Sequence, residues 1–122
     1  MAFVLAPIES IKLNCVIQLP QDFGKTQKAD VDVTWKRLKV DEKNQIIKDL
    51  TDPDNSLTDV DVLRRLILDI DGIKDPSGSD IQYTEALLEQ LCQEDYIRTP
   101  LIEQAQKQLY DKSFLEAIHR KN

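Results

Sequence analysis

Few side chains in this sequence are suited to chemistry. A single histidine, His119, occurs in 122 residues. It stands in a terminal Lys/Arg-rich stretch where helices fray, a poor place for a general base. A cysteine nucleophile needs a base within reach and a lowered pKa. Cys15 falls on the predicted inward face of a strand and Cys92 on the apolar face of a helix, so both read as small core residues with free thiols. Two aspartate-rich segments resemble calcium loops. Asp52-Pro53-Asp54-Asn55-Ser56 opens like an EF-hand, but Leu57 occupies the position that needs glycine and Leu63 the position that needs a bidentate glutamate. In Asp69-Ile70-Asp71-Gly72 the glycine comes two places early. Both segments read instead as helix caps and turns.

The carboxylate pairs Asp41-Glu42 and Glu94-Asp95 are adjacent in sequence, so on a helix they point in different directions. With three glycines in the chain there is no Gly-rich phosphate loop, and neither CxxC nor HExxH occurs. The expectation is a protein that is not an enzyme, with no catalytic, cofactor-binding or metal-ligating residues.

The elements that position these residues begin with two alternating segments. Ile11, Leu13, Cys15, Ile17 and Leu19 are apolar, and Lys12, Asn14 and Gln18 between them are polar, with Val16 the exception. Ala29, Val31, Val33 and Trp35 then alternate with Asp30, Asp32, Thr34 and Lys36. Period two predicts two half-buried strands paired as a hairpin. A long polar connection over residues 20–28 joins them, its Phe23 folded back onto the sheet or exposed, the first being preferred.

Beyond Val40 the period becomes helical. Ile46, Ile47 and Leu50 share a face behind Asp41 as a plausible N-cap, and residues 51–55 end that helix. A stronger helix begins at 56–58, with Val60, Leu63, Ile67 and Ile70 in one stripe widened by Leu66. Residues 71–80 read as a loop with turns at Asp71-Gly72 and Ser77-Gly78, and residues 81–83 as briefly extended. Leu87, Leu88, Leu91 and Cys92 form the apolar face of a third helix. Thr99-Pro100 starts the last one, because proline at the first helical position loses only an N–H that would be unpaired anyway.

The resulting expectation is one α+β domain over 1–122. An N-terminal antiparallel hairpin or small sheet over 10–38 packs against about four helices, with 41–119 helical. On the last helix Leu101, Ile102, Ala105 and Leu109 cluster on one side, whereas Tyr110, Phe114, Ala117 and Ile118 cluster roughly 120° further round. Either the helix breaks near 111–113 and returns the second set to the core, or Tyr110, Phe114, Ala117 and Ile118 form a protein-binding surface.

Composition narrows the partners. Hydrophobic residues at 41% and charged residues at 31% fit a folded protein. A net charge of −6 and a pI near 4.7 oppose phosphate-backbone binding, so no nucleic acid is expected. The compact basic group Lys36, Arg37 and Lys39 reads as a solvated strand end. Residues 1–7 lack the positive start of a signal peptide, and no long apolar run predicts a membrane span. A soluble, cytoplasmic protein is expected.

Several segments together resemble a known family. They are Val33-Thr34-Trp35-Lys36-Arg37-Leu38 at the strand end, Leu68-Asp69-Ile70-Asp71-Gly72-Ile73, a turn around 75–78, and Ile81-Gln82-Tyr83-Thr84-Glu85-Ala86-Leu87-Leu88. Over roughly 10–105 the chain resembles the tail assembly chaperones of long-tailed, siphovirus-like bacteriophages and prophages. It departs from them at Ile70, where the family often has tryptophan two residues before the glycine.

The resemblance implies a chaperone in the bacterial host cytoplasm that binds and solubilises the tape measure protein. It also implies recruitment of tail tube protein subunits, a tendency to form a homo-oligomer, and in many phages a longer frameshifted form. The alternative is a tail completion or head-tail joining protein that stays in the virion. A more distant one is a small regulatory module with an acidic face.

Overall fold

In the computed structural model, which describes residues 1–55 and 57–110, the two alternating segments form a long antiparallel hairpin. Strand β1 (Ser10–Pro20) pairs with β2 (Thr26–Lys36) without interruption, from Ser10 opposite Lys36 to Pro20 opposite Thr26. Period two sends Cys15, Ile17, Val31, Val33 and Trp35 to a buried inner face. Asn14, Asp30 and Asp32 lie on the opposite face, where the Asn14 amide donates to Asp30 at 2.7 Å and to Asp32 at 3.1 Å.

The strands run further toward the turn than the sequence predicts, and this decides the position of Phe23. Only residues 21–25 remain to reverse the chain. They form a 3-10 turn, Asp22–Gly24, closed by Gln21 N–H donating to the Lys25 carbonyl at 2.8 Å. So short a turn has no slack to fold a side chain back. Phe23 is not on the sheet: it projects from the tip 97% exposed, with a left-handed φ of 62°.

The fold is α+β. A three-stranded antiparallel sheet in the order β1-β2-β3 packs against four α-helices among the described residues. Helix α1 (Val40–Thr51) buries Ile46, with Ile47 and Leu50 half-buried. It starts one residue before the expected cap: Lys39 holds the N-cap position, and its N–H donates to the Glu42 carboxylate at 3.1 Å.

Helix α2 (Asp59–Leu66) opens on a reciprocal cap. Thr58 Oγ1 accepts from Asp61 N–H at 3.2 Å, and the Asp61 carboxylate accepts from Thr58 N–H at 3.0 Å. These bonds, helped by Arg64, hold the Asp61 carboxyl below the usual carboxylate range.

The expected second helix does not continue to Ile70. It stops at Leu66, and β3 (Ile67–Asp71) pairs with β2, so the predicted helical region contains a strand. Thr34 faces Asp69 and Trp35 faces Ile67, leaving Leu68 as the extra residue of a β-bulge. The bulge lets Ile67 and Ile70, three apart, both turn inward and become buried. That spacing is also helical, which is why the sequence reads as one long stripe.

Gly72 and Gly78 take left-handed φ angles of 98° and 88° in the predicted turns. Between them Asp75 accepts from Ser77 Oγ, Ser77 N–H and Ser79 N–H, which holds its carboxyl below the usual range. Helix α3 (Glu85–Leu91) is capped by Thr84 and buries Leu88, with Cys92 buried just beyond its end.

Helix α4 (Asp95–Leu109) starts a turn earlier than expected, at Glu94, and carries Pro100 in its interior. The earlier turn packs Tyr96 and Ile97 against the core and lets Arg98 bond Asp59 of α2 at 3.0 Å. Leu101, Ala105 and Leu109 are buried along one side, with Ile102 half-buried.

The free edge of β1 is fixed by alternation. Glu9 C=O accepts from Arg37 N–H and Gln21 N–H donates to the Lys25 carbonyl, so along β1 the backbone N–H and C=O groups of odd-numbered residues point to β2 and those of even-numbered residues to the free edge. On that outer edge Asn14 C=O accepts from Gln104 Nε2 of α4 at 2.7 Å, and Gln104 Oε1 accepts from the Trp35 indole N–H at 2.8 Å.

Candidate protein-binding surfaces

The residues that could carry chemistry are placed apart from one another. Cys15 lies under α4 on the inner sheet face and Cys92 behind α3, and both are buried and free. Burial pushes both thiols up, reinforced at Cys15 by the Glu103 carboxylate, so neither has the depressed pKa of a nucleophile.

The two calcium-loop lookalikes do local structural work. Asp52 accepts from Asp54 N–H and Asn55 from Leu57 N–H, while Asp69 and Asp71 lie in β3. Among the described residues no group of His, Cys, Asp or Glu converges as a metal site, and no helix is long and apolar enough to cross a membrane.

Of the expected binding set, Tyr110 follows the last residue of α4, half-buried and packed against the core. It shares a surface groove with Glu103, Gln106 and Lys107. Phe114, Ala117 and Ile118 lie outside the described residues, as does His119.

A larger apolar surface lies at the opposite end of the chain, where the sequence gives no periodic signal. Residues 1–8 precede the sheet with Phe3 88% and Leu5 89% exposed, and Val4 and Ile8 are exposed as well. Large apolar side chains exposed in succession are unusual outside interaction sites. Glu9 anchors the segment through the Arg37 bond. Ala6, Pro7 and Ile8 then form one wall of a groove of about 780 Å³, with Arg37, Leu38 and Leu68 on the others. The basic strand end Lys36, Arg37 and Lys39 and the bulged Leu68 therefore border an apolar arm.

A second concavity, of about 240 Å³, lies at the hairpin-turn end of the sheet. Ile17, Leu19, Ala29, Ile73, Leu91 and Ile97 are among its mostly apolar lining. It exists because Gly72 brings the chain leaving β3 against the backbone of Asp30 and Val31, 3.6 Å from where a Cβ would stand. Its residues come from β1, β2, the end of β3 and the segment after it, α3 and α4, and only their meeting signals it.

No family model, no curated protein and no solved structure matches the chain.

Proposed function

We propose that this protein is a phage tail assembly chaperone that binds and solubilises the tape measure protein and helps recruit tail tube subunits. One observation carries the reading: the uncharged arm over residues 1–8, with Phe3, Val4, Leu5 and Ile8 exposed beside a groove. A protein that holds an apolar helical client needs apolar surface beyond its own core, and enough net charge to keep the complex in solution. The arm supplies the first and the charge of −6 the second. The identity of the client rests on the resemblance of Val33 to Leu38, Leu68 to Ile73 and Ile81 to Leu88 to the tail assembly chaperones.

Co-expression with a candidate tape measure protein tests the reading. The expected result is a soluble tape measure protein with the parent chain and an insoluble one with F3S/L5S, whose substitutions touch no core residue. An insoluble client with the parent, or full activity in F3S/L5S, counts against it. Mass spectrometry of purified virions separates the chaperone, expected to be absent, from a tail completion or head-tail joining protein, which stays in the particle.

A further inference from the structure

The two edges of the sheet are finished differently. On β1 the Gln104 amide takes up the Asn14 carbonyl. On β3 no side chain among the described residues does the equivalent. Even-numbered residues of β2 turn their backbone groups away from β1 and toward β3, so the bonded pairs there are Asp32 with Asp71 and Thr34 with Asp69. Ile70, opposite Val33, then points its N–H and C=O at the free edge, where neither has a hydrogen-bond partner among the described residues. Ile70 is 2% exposed, and an unpaired peptide group in so enclosed a residue is rare.

That edge opens into a cleft of about 530 Å³. Beyond Gly72 the chain turns back, and Ile81 N–H donates to the Ile73 carbonyl at 2.9 Å. Residues 81–83 make no backbone bond to β3 and line the cleft together with it.

We infer that this edge is a docking site for an extended segment of another protein, which adds as an antiparallel fourth strand and carries a cation, an apolar residue and a cation in succession. A peptide strand offers both a donor and an acceptor at the spacing Ile70 presents, and strand addition at an open edge is a recurring mode of recognition. The bulge at Leu68 and the turn at Gly72 confine regular pairing to Asp69, Ile70 and Asp71, so the recognised motif is short.

Register dictates the order of side chains. The residue paired with Ile70 sends its side chain to the same side of the sheet as Ile70, the core side, and is therefore apolar. Its two neighbours stand on the outer face, directly opposite Asp69 and Asp71. Asp69 has no ion pair among the described residues. Asp71 already faces Asp32, a like-charged pair that Lys12 offsets at 3.3 Å. Asp80 adds a further carboxylate to the cleft. Lys or Arg is the complement at both outer positions. The cleft shares no lining residue with the groove beside the arm, so the inference stands whatever the arm binds.

The test titrates the whole chain with an end-blocked peptide, Ser-Thr-Lys-Val-Lys-Thr-Ser, while its backbone amide NMR signals are followed. Binding should be saturable, with the Ile70 amide among the signals that move most and its hydrogen exchange slowed. The charge-reversed peptide Ser-Thr-Glu-Val-Glu-Thr-Ser should not bind. A lysine peptide N-methylated at valine cannot donate to the Ile70 carbonyl and should bind at least about tenfold more weakly. D69N/D71N changes two surface side chains and should weaken the lysine peptide at least about threefold, its own amide spectrum reporting that it is folded.

No saturable binding, a reversed or methylated peptide that binds as well as the lysine peptide, a folded D69N/D71N that binds like the parent, or shifts that leave Ile70 unmoved overturns the inference. So does an Ile70 signal that moves when the chain alone is concentrated, since a second copy then holds the edge. The co-expression assay above reads client solubility through the arm, and its outcome is separate from this one.

Discussion

Gln104 is the residue on which the α4-to-sheet packing turns. Its side chain accepts from the indole of the fully buried Trp35 and donates to Asn14 on the free edge of β1. One amide thereby satisfies a core donor and an edge carbonyl. Gln104→Ala leaves both unmet and is expected to cost about 1–3 kcal/mol in urea unfolding, with a shift in Trp35 emission. Gln104→Glu keeps the acceptor for Trp35 but turns a carboxylate oxygen toward Asn14 C=O, so it should recover only part of the loss.

Tyr83 makes the opposite case. Its hydroxyl oxygen is buried with no hydrogen-bond partner among the described residues, and burial, helped by Glu85, pushes its pKa up to about 12. The folded chain therefore holds this proton above the pH at which the unfolded chain, with a pKa of about 10, releases it. Its contribution to stability is complete below about pH 10 and is lost as pH rises toward about 12. Urea midpoints measured across that window should fall with pH in the parent and fall less in Tyr83→Phe. At neutral pH that variant should be no less stable than the parent, because no hydrogen bond is lost.

Among the elements, β3 depends on a single inserted residue. Leu68 is exposed and touches little of the core, yet its presence in the bulge allows Ile67 and Ile70 both to face inward. Deleting Leu68 restores a regular ladder and turns one of the two isoleucines to solvent, with an expected loss of about 2–4 kcal/mol. Leu68→Ser keeps the bulge and should stay within about 0.5 kcal/mol of the parent. Chemical denaturation of the pair separates the role of the position from the role of its side chain. In α4, by contrast, Pro100 sits where a sequence reader places a start. The turn before it forms because Tyr96 and Ile97 gain core contacts and Arg98 gains Asp59.

For the whole molecule, the division between the core and the arm is the main result. The buried cluster draws on every strand and on all four helices and includes none of residues 1–8. Deleting residues 1–8 should therefore leave the unfolding free energy, measured by urea denaturation, within about 0.5 kcal/mol of the parent, which deletion of a packed N-terminal element would not do. Ion pairs tie the helical layer together at its surface, Arg64 to Asp61 and Glu89 and Arg98 to Asp59. Being partly exposed, they add register more than stability.

The amino-acid sequence by itself determined the α+β class, the hairpin with its inward residues Cys15, Val31, Val33 and Trp35, and the buried line Leu101, Ala105 and Leu109. Each of these follows from a local period, because one buried face imposes its repeat on the residues beneath it. Tertiary structure decided the rest. Ile67 and Ile70 fit a helix and a bulged strand equally well, and only the open edge of β2 selects the strand. Phe23 stands exposed because the full length of the pairing leaves a short turn. Gln104 looks like any polar residue of a helix until Trp35 and Asn14 meet it. The cavity at the hairpin end is assembled from segments far apart in sequence, so no local pattern carries it. The arm has no period at all, and its exposure is settled only once a core has formed without it.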